Sequence, residues 1–166
     1  MSLDIVWIII SYFGDVQYWL GLTIAMLIVY QLLDKRDKHK LAWVLLALLP
    51  AVIVSAQITM ILKDTLLISR PCIGLPSCID GYSFPSGHAT VMFAFASVVV
   101  MQVQKRGWHL LVVPLAVLVS VARVALGYHT VADVAAGAAI GISVGYLFHR
   151  SYRSVHVYFE RKRLVA

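Results

Sequence analysis

The chain has 166 residues, of which 61% are hydrophobic and 13% charged, with a mean hydropathy of +0.85. A soluble domain of this size has no interior large enough for so much apolar surface, so the composition specifies an integral membrane protein. The formal net charge of +6 would suggest nucleic acid in a soluble domain. In a membrane protein it is the ordinary excess of Lys and Arg on cytoplasmic segments, and no nucleic-acid partner is expected.

Taken in chain order, residues 5–13 (IVWIIISYF) are apolar but too short to span. No basic residue precedes them and no small-residue cleavage site follows, so an interfacial or re-entrant helix is expected rather than a signal peptide. Five stretches then approach the roughly 20 residues that cross a hydrocarbon core of about 30 Å: Val16–Leu33, Leu41–Leu62, Gly87–Gln104, Leu110–Leu126 and Val131–Phe148. The expected fold is an all-α polytopic membrane helix bundle, a single domain over residues 1–166. Pro50 and Pro114 fall inside spans, where a missing N–H and a ring clash predict kinks. Trp19, Trp43 and Trp108 lie near span ends, as interfacial anchors do. Gly137, Gly141 and Gly145 recur every four residues, a small stripe that predicts close helix packing, within the monomer before a dimer seam.

The basic residues are unevenly placed. Eleven of the 14 Lys and Arg residues sit at 34–40 (Lys35, Arg36, Lys38, Lys40), at 105–109 (Lys105, Arg106) and after the fifth span (Arg150, Arg153, Arg161, Lys162, Arg163). With five spans these segments share one side, which the positive-inside rule makes the cytoplasm. The C-terminus is then cytoplasmic and the N-terminus outside, in a plasma (inner) membrane. Lys63, Arg70 and Arg123 fall on the opposite side, together with His88 and His129. The 63–86 loop on that side holds the only cysteines, Cys72 and Cys78. An oxidising compartment favours a disulfide between them, with two free thiols as the alternative.

Each piece of this outer cluster admits a plain reading. Pro85-Ser86-Gly87-His88 opens a helix whose free N–H groups and dipole favour an anion, or Ser86 merely caps the helix. His129 and Asp133, at i and i+4, share a helix face, so the carboxylate can fix the imidazole tautomer; Thr130 and Asp133 equally fit a capping box. A single cation can be an interfacial snorkel. Three cations beside two histidines suit a phosphoryl group and oppose a divalent ion, so no metal and no cofactor is expected.

Together, Lys63 with Arg70-Pro71, then Pro85-Ser86-Gly87-His88, then Arg123, His129 and Asp133 resemble in order and spacing the three signature motifs of the type-2 phosphatidic acid phosphatase superfamily. The resemblance implies a metal-independent membrane lipid phosphatase with a phosphohistidine intermediate. It makes His129 the nucleophile, Asp133 its orienting partner and His88 the general acid, with Lys63, Arg70, Ser86, Gly87 and Arg123 on the phosphoryl oxygens. This chain has Ala122 where the third motif usually has Ser, and five spans plus a short segment where many members have six. With the site outside, the resemblance points first to undecaprenyl diphosphate as the membrane lipid substrate, then to phosphatidylglycerophosphate or phosphatidic acid. A lipid-linked phosphotransferase and a non-catalytic lipid-binding protein are the alternatives. Soluble vanadium haloperoxidases share this kind of site but not the spans.

Overall fold

The computed structural model describes residues 2–12, 21, 25, 28, 42–72, 78–103 and 106–165. Among them every regular element is helical: α1 (Ser2–Tyr12), a π-helical turn (Val44–Leu48) running into α2 (Leu49–Leu66), α3 (Gly87–Gln102), α4 (Arg106–Ala125) and α5 (Val131–Val165). Apart from Gly21, Ala25 and Ile28, the expected first span, with Trp19, lies outside the described residues, as do the basic loop at 34–40 and Lys105.

Among the described residues, three helical stretches are long and apolar enough to cross a membrane: Val44–Leu66, Gly107–Ala125 and Val131–Tyr158. Helix α3 is apolar but has 16 residues, about 24 Å at 1.5 Å per residue. It ends two residues before the expected boundary. Helix α1, with 11 residues, is about 16 Å long and cannot span. The last helix differs most from expectation. Instead of a span ending at Phe148 and a separate tail, α5 runs on for 35 residues, about 52 Å. No Gly or Pro interrupts the sequence after Gly145, and its Arg and Lys residues are good helix formers, so nothing stops it.

Pro50 lies in the first turn of α2, immediately after the π turn. A Pro lacks the N–H and crowds the carbonyl four residues back; the wider π turn relieves both. Pro114 lies within α4, which is continuous around it.

The interior is built from small side chains. Ala47, Ala51, Ala89, Ala94, Ala116 and Ala122 are fully buried, with Val91, Met92, Val98 and Val119 between them. Large apolar residues such as Ile61, Leu110, Leu111, Val131 and Leu147 point outward. That inversion suits helices whose outer solvent is lipid.

The glycine stripe of α5 lies against α3 within the same chain. A Cβ on Gly137 would stand 2.6 Å from the Ser86 carbonyl oxygen, and one on Gly141 would stand 2.2 Å from that of Thr90 and 2.8 Å from the Ala94 nitrogen. One on Gly145 would meet Ser97 Oγ at 1.9 Å and the Ala94 carbonyl oxygen at 2.8 Å. The obstructing atoms are mostly backbone and cannot swing aside, so the two helices touch main chain to main chain. Gly141→Ala is therefore expected to separate α3 from α5 and destabilise the protein by about 1–3 kcal/mol, the usual cost of overpacking. Gly107→Ala, at a helical glycine with open space around its Cβ position, is the control. Thermal unfolding in detergent should show a lowered midpoint for the first variant and none for the second.

Candidate active site

Helix α2 delivers Lys63 to one end of the bundle. The helix stops at Leu67, which adopts the left-handed region (φ 52°) and donates its N–H to the Lys63 carbonyl at 3.0 Å. The chain turns there toward Arg70 and returns with Ser83 N–H donating to the Ile68 carbonyl at 2.8 Å. The Lys63 ammonium donates to the carbonyls of Tyr82 and of Ser83, the latter at 3.2 Å. Cys72 and Cys78 are disulfide-bonded with their Cα atoms 5.3 Å apart, which ties the outgoing and returning segments together.

The returning segment places Ser86 at the start of α3. Ser86 has the extended backbone of an N-cap residue, yet its side chain makes no capping bond. Its Oγ is buried without a partner, while its N–H donates to the Asp133 carbonyl at 3.0 Å. Capping does not account for this serine. Gly137 allows the approach, since any larger residue would collide with the Ser86 carbonyl. His88 follows in the first turn of α3, where the charges of Arg123, His129, Arg70 and Lys63 all act on it. Gly87 has room for a Cβ, its nearest neighbour being Thr59 Cγ2 at 3.5 Å, so packing within the protein does not demand glycine there.

Helix α4 ends in a Schellman turn. Gly127, at φ 73°, donates to the Val124 carbonyl at 2.9 Å, and Tyr128 N–H reaches back to the Arg123 carbonyl at 3.2 Å. The positive φ is what glycine supplies here. The turn brings the Tyr128 ring under the Arg123 guanidinium, 4.7 Å away, and sets His129 beside it. Arg123 is buried, and its Nη1 donates to Ser11 Oγ of α1 at 2.6 Å.

His129 and Asp133 are buried where α5 begins. The capping box is present: Thr130 N–H donates to Asp133 Oδ2 at 2.7 Å, and Asp133 N–H donates to Thr130 Oγ1 at 3.2 Å. Ser83 Oγ also donates to Oδ2, at 2.6 Å. His129 Nδ1 stands 3.6 Å from the same oxygen, on the expected face but beyond hydrogen-bond range. On the other side of the ring, Arg70 Nη1 donates to the Tyr128 carbonyl at 3.0 Å and faces His129 Nε2 at 3.2 Å. Arginine only donates, so Nε2 presents its lone pair and the imidazole proton sits on Nδ1, toward Asp133. Burial pushes the His129 pKa down from 6.5 to about 3, aided by Arg70, Lys63 and Arg123 and opposed by Asp133.

All eight expected phosphate-site and catalytic residues thus lie at one end of the bundle. Sequence reasoning missed Ser83, Tyr128 and Ser11. Ser83 and Tyr128 flank the motifs, which is a faint signal; Ser11 lies 112 residues from its partner and carries none. Among the described residues no group of three or more His, Cys, Asp or Glu side chains gathers as a metal site.

A family model for the PAP2 superfamily matches residues 42–156. The chain belongs to this superfamily. It is 38% identical over 106 residues to lipid phosphate phosphatase gamma of Arabidopsis thaliana, a match covering 56% of this chain and 46% of the relative, so the chain spans about half the length of that protein. Two crystal structures are similar. One is a transmembrane PAP2 type phosphatidylglycerolphosphate phosphatase from Bacillus subtilis, with TM-score 0.78, 23% identity and 93% of this chain and 78% of that chain covered. The other is Aquifex aeolicus LpxE, with TM-score 0.70, 25% identity and 90% and 86% covered.

The tautomer assignment is open to measurement. Nitrogen-15 spectra of histidine-labelled protein at pH 5 should show His129 neutral, with Nε2 unprotonated. An unfolded chain would already bind that proton below pH 6.5, so this residue's contribution lowers stability as the pH falls from about 6.5 toward 3. An imidazolium signal for His129 at pH 6 would contradict the arrangement.

Proposed function

We propose that this protein is a metal-independent lipid phosphatase working through a phosphohistidine on His129. The observation that carries the proposal is the set of buried, partnerless donors at the end of the bundle that holds His129. Arg70 faces Nε2, while Arg70 Nε and Ser86 Oγ are buried without partners. A phosphoryl group supplies the oxygens these donors lack, and Arg70 would turn from the imidazole to the anion as substrate enters.

The reaction follows from the placement. His129 Nε2 attacks phosphorus; the N–P bond forms as the bond to the leaving oxygen breaks. His88 supplies the proton to that oxygen. Asp133, held by Ser83 and Thr130, balances the positive charge on the phosphorylated imidazole, whose Nδ1 proton faces it. Water then attacks phosphorus, His88 takes a proton from it, and orthophosphate leaves with His129 restored. Lys63, Arg70, Arg123, Ser86 and the α3 amides at Gly87 hold the equatorial oxygens throughout.

The substrate is a lipid phosphate or diphosphate. An outward-facing site and a cytoplasmic C-terminus follow from the basic-residue asymmetry, and make undecaprenyl diphosphate the first compound to test. Phosphatidylglycerophosphate, the substrate in the name of the Bacillus protein, and phosphatidic acid come next.

Phosphate release from this panel should persist in EDTA and vanish in His129→Ala. Turnover by His129→Ala would overturn the covalent route, and reversible loss on metal removal would overturn the role given to the three cations. His88→Ala should slow alkyl phosphate cleavage about 10²–10⁴-fold and aryl phosphate cleavage much less, because a good leaving group needs no proton. Ser11→Ala should raise KM about fivefold, the worth of one hydrogen bond holding Arg123 in place. Ser11→Thr should restore it.

A further inference from the structure

At the end of the bundle away from His129, α3 and α5 line two adjoining open cavities. The first, about 240 Å³, is lined by Met101, Gln102, His149, Tyr152, Arg153 and His156. The second, about 480 Å³, shares Met101 and runs between the helices past Val100, Ile142 and Leu147. Along α5, His149 of the first cavity lies about 24 Å from Asp133, and Ile142 of the second about 14 Å, so neither cavity belongs to the phosphoryl site.

Their chemistries are opposite. The first offers a guanidinium, two imidazoles, a phenol and an amide, with no carboxylate among its lining residues. His149, Arg153 and His156 share one face of α5, and the Tyr152 and His156 rings lie 5.8 Å apart. The second cavity, which Tyr146 also lines, is apolar in effect. Its two serines spend their hydroxyls on their own helices, Ser97 on the Ala94 carbonyl at 3.0 Å and Ser143 on that of Ala139 at 2.8 Å.

Basic residues at a helix end are ordinary, and interfacial snorkelling explains an exposed Arg153. It does not explain His149, which is 8% exposed, lines the polar cavity and leaves Nδ1 buried without a partner. Burying such an atom is costly unless something bonds to it. We propose that the paired cavities bind an anionic phospholipid: its headgroup phosphate on Arg153, His149 and His156, and an acyl chain in the adjoining groove. No carboxylate lines the polar cavity among the described residues, which favours an anion, and the apolar groove favours a lipid over free phosphate.

Native mass spectrometry of the full chain in detergent tests this with phosphatidylglycerol, a phosphodiester that a phosphomonoesterase leaves intact. The wild type should retain one equivalent in preference to phosphatidylcholine. Arg153→Gln, a change at an exposed residue, should weaken retention about tenfold, on the scale of one charge-assisted hydrogen bond. Ser143→Phe, which fills the groove, should weaken it as well. His129→Ala should keep it, separating this site from the proposed reaction. Unchanged retention in both Arg153→Gln and Ser143→Phe, equal retention of phosphatidylcholine, or displacement of the lipid by millimolar inorganic phosphate would each overturn the proposal.

Discussion

The main-chain contact between α3 and α5 sets the geometry on which the rest of the site depends. Membrane helices gain little from hydrophobic association and rely on close packing instead. Here the closeness has a chemical consequence as well as a mechanical one. Because Gly137 has no Cβ, the Ser86 carbonyl can lie against α5 and the Ser86 N–H can bond to the Asp133 carbonyl at 3.0 Å. The start of one helix is thereby registered against the start of the other. The residues that begin α3 and the pair that begins α5 are fixed relative to each other by backbone, the stiffest material available.

Electrostatics acts within that frame. Lys63, Arg70 and Arg123 all bear on His129, with Asp133 the opposing charge among the groups acting on it. Burying cations is costly unless the charge is balanced. The protein balances them partly with neutral acceptors: the Tyr82 and Ser83 carbonyls for Lys63, the Tyr128 carbonyl for Arg70, the Ser11 hydroxyl and the Tyr128 ring for Arg123. Dipoles orient the cations without neutralising them, so an excess of positive potential is left for an anionic ligand. Burial, together with this field, holds the His129 imidazole well below its ordinary pKa, the neutral state that the proposed nucleophile needs.

Much of this was legible in the sequence because span periodicity and charge asymmetry are both one-dimensional signals. Counting crossings was enough to bring Lys63, Ser86, Arg123 and His129 to one end, and the four-residue glycine spacing announced a helix contact. Other features needed three dimensions. The continuation of α5 past Phe148 could not be read from hydropathy, because a polar segment is as free to stay helical as to unwind. Capping Ser86 and bonding His129 to Asp133 were both reasonable local readings. The structure replaces the first with a partnerless hydroxyl and the second with a 3.6 Å separation, because the carboxylate is held by Thr130, the capping partner legible in the sequence, and by Ser83 from a loop 50 residues away. A cross-element hydrogen bond such as that of Ser83 leaves no periodic trace.

Ala122 illustrates how far local substitution can mislead. The third motif usually carries a serine there, and its loss reads in sequence as one hydroxyl missing beside Arg123. In the folded chain Ala122 is fully buried, where a hydroxyl would need a partner of its own. Arg123 meets a hydroxyl nonetheless, from Ser11 of α1, at 2.6 Å. Helix α1 is too short to cross the bilayer and adds little to the apolar core, yet it packs on α4 and its last turn reaches the buried guanidinium. The orientation of that guanidinium is thus a tertiary property. It depends on a segment outside the stretch that the family model matches, and a reading confined to the motifs would assign that segment no part in the site.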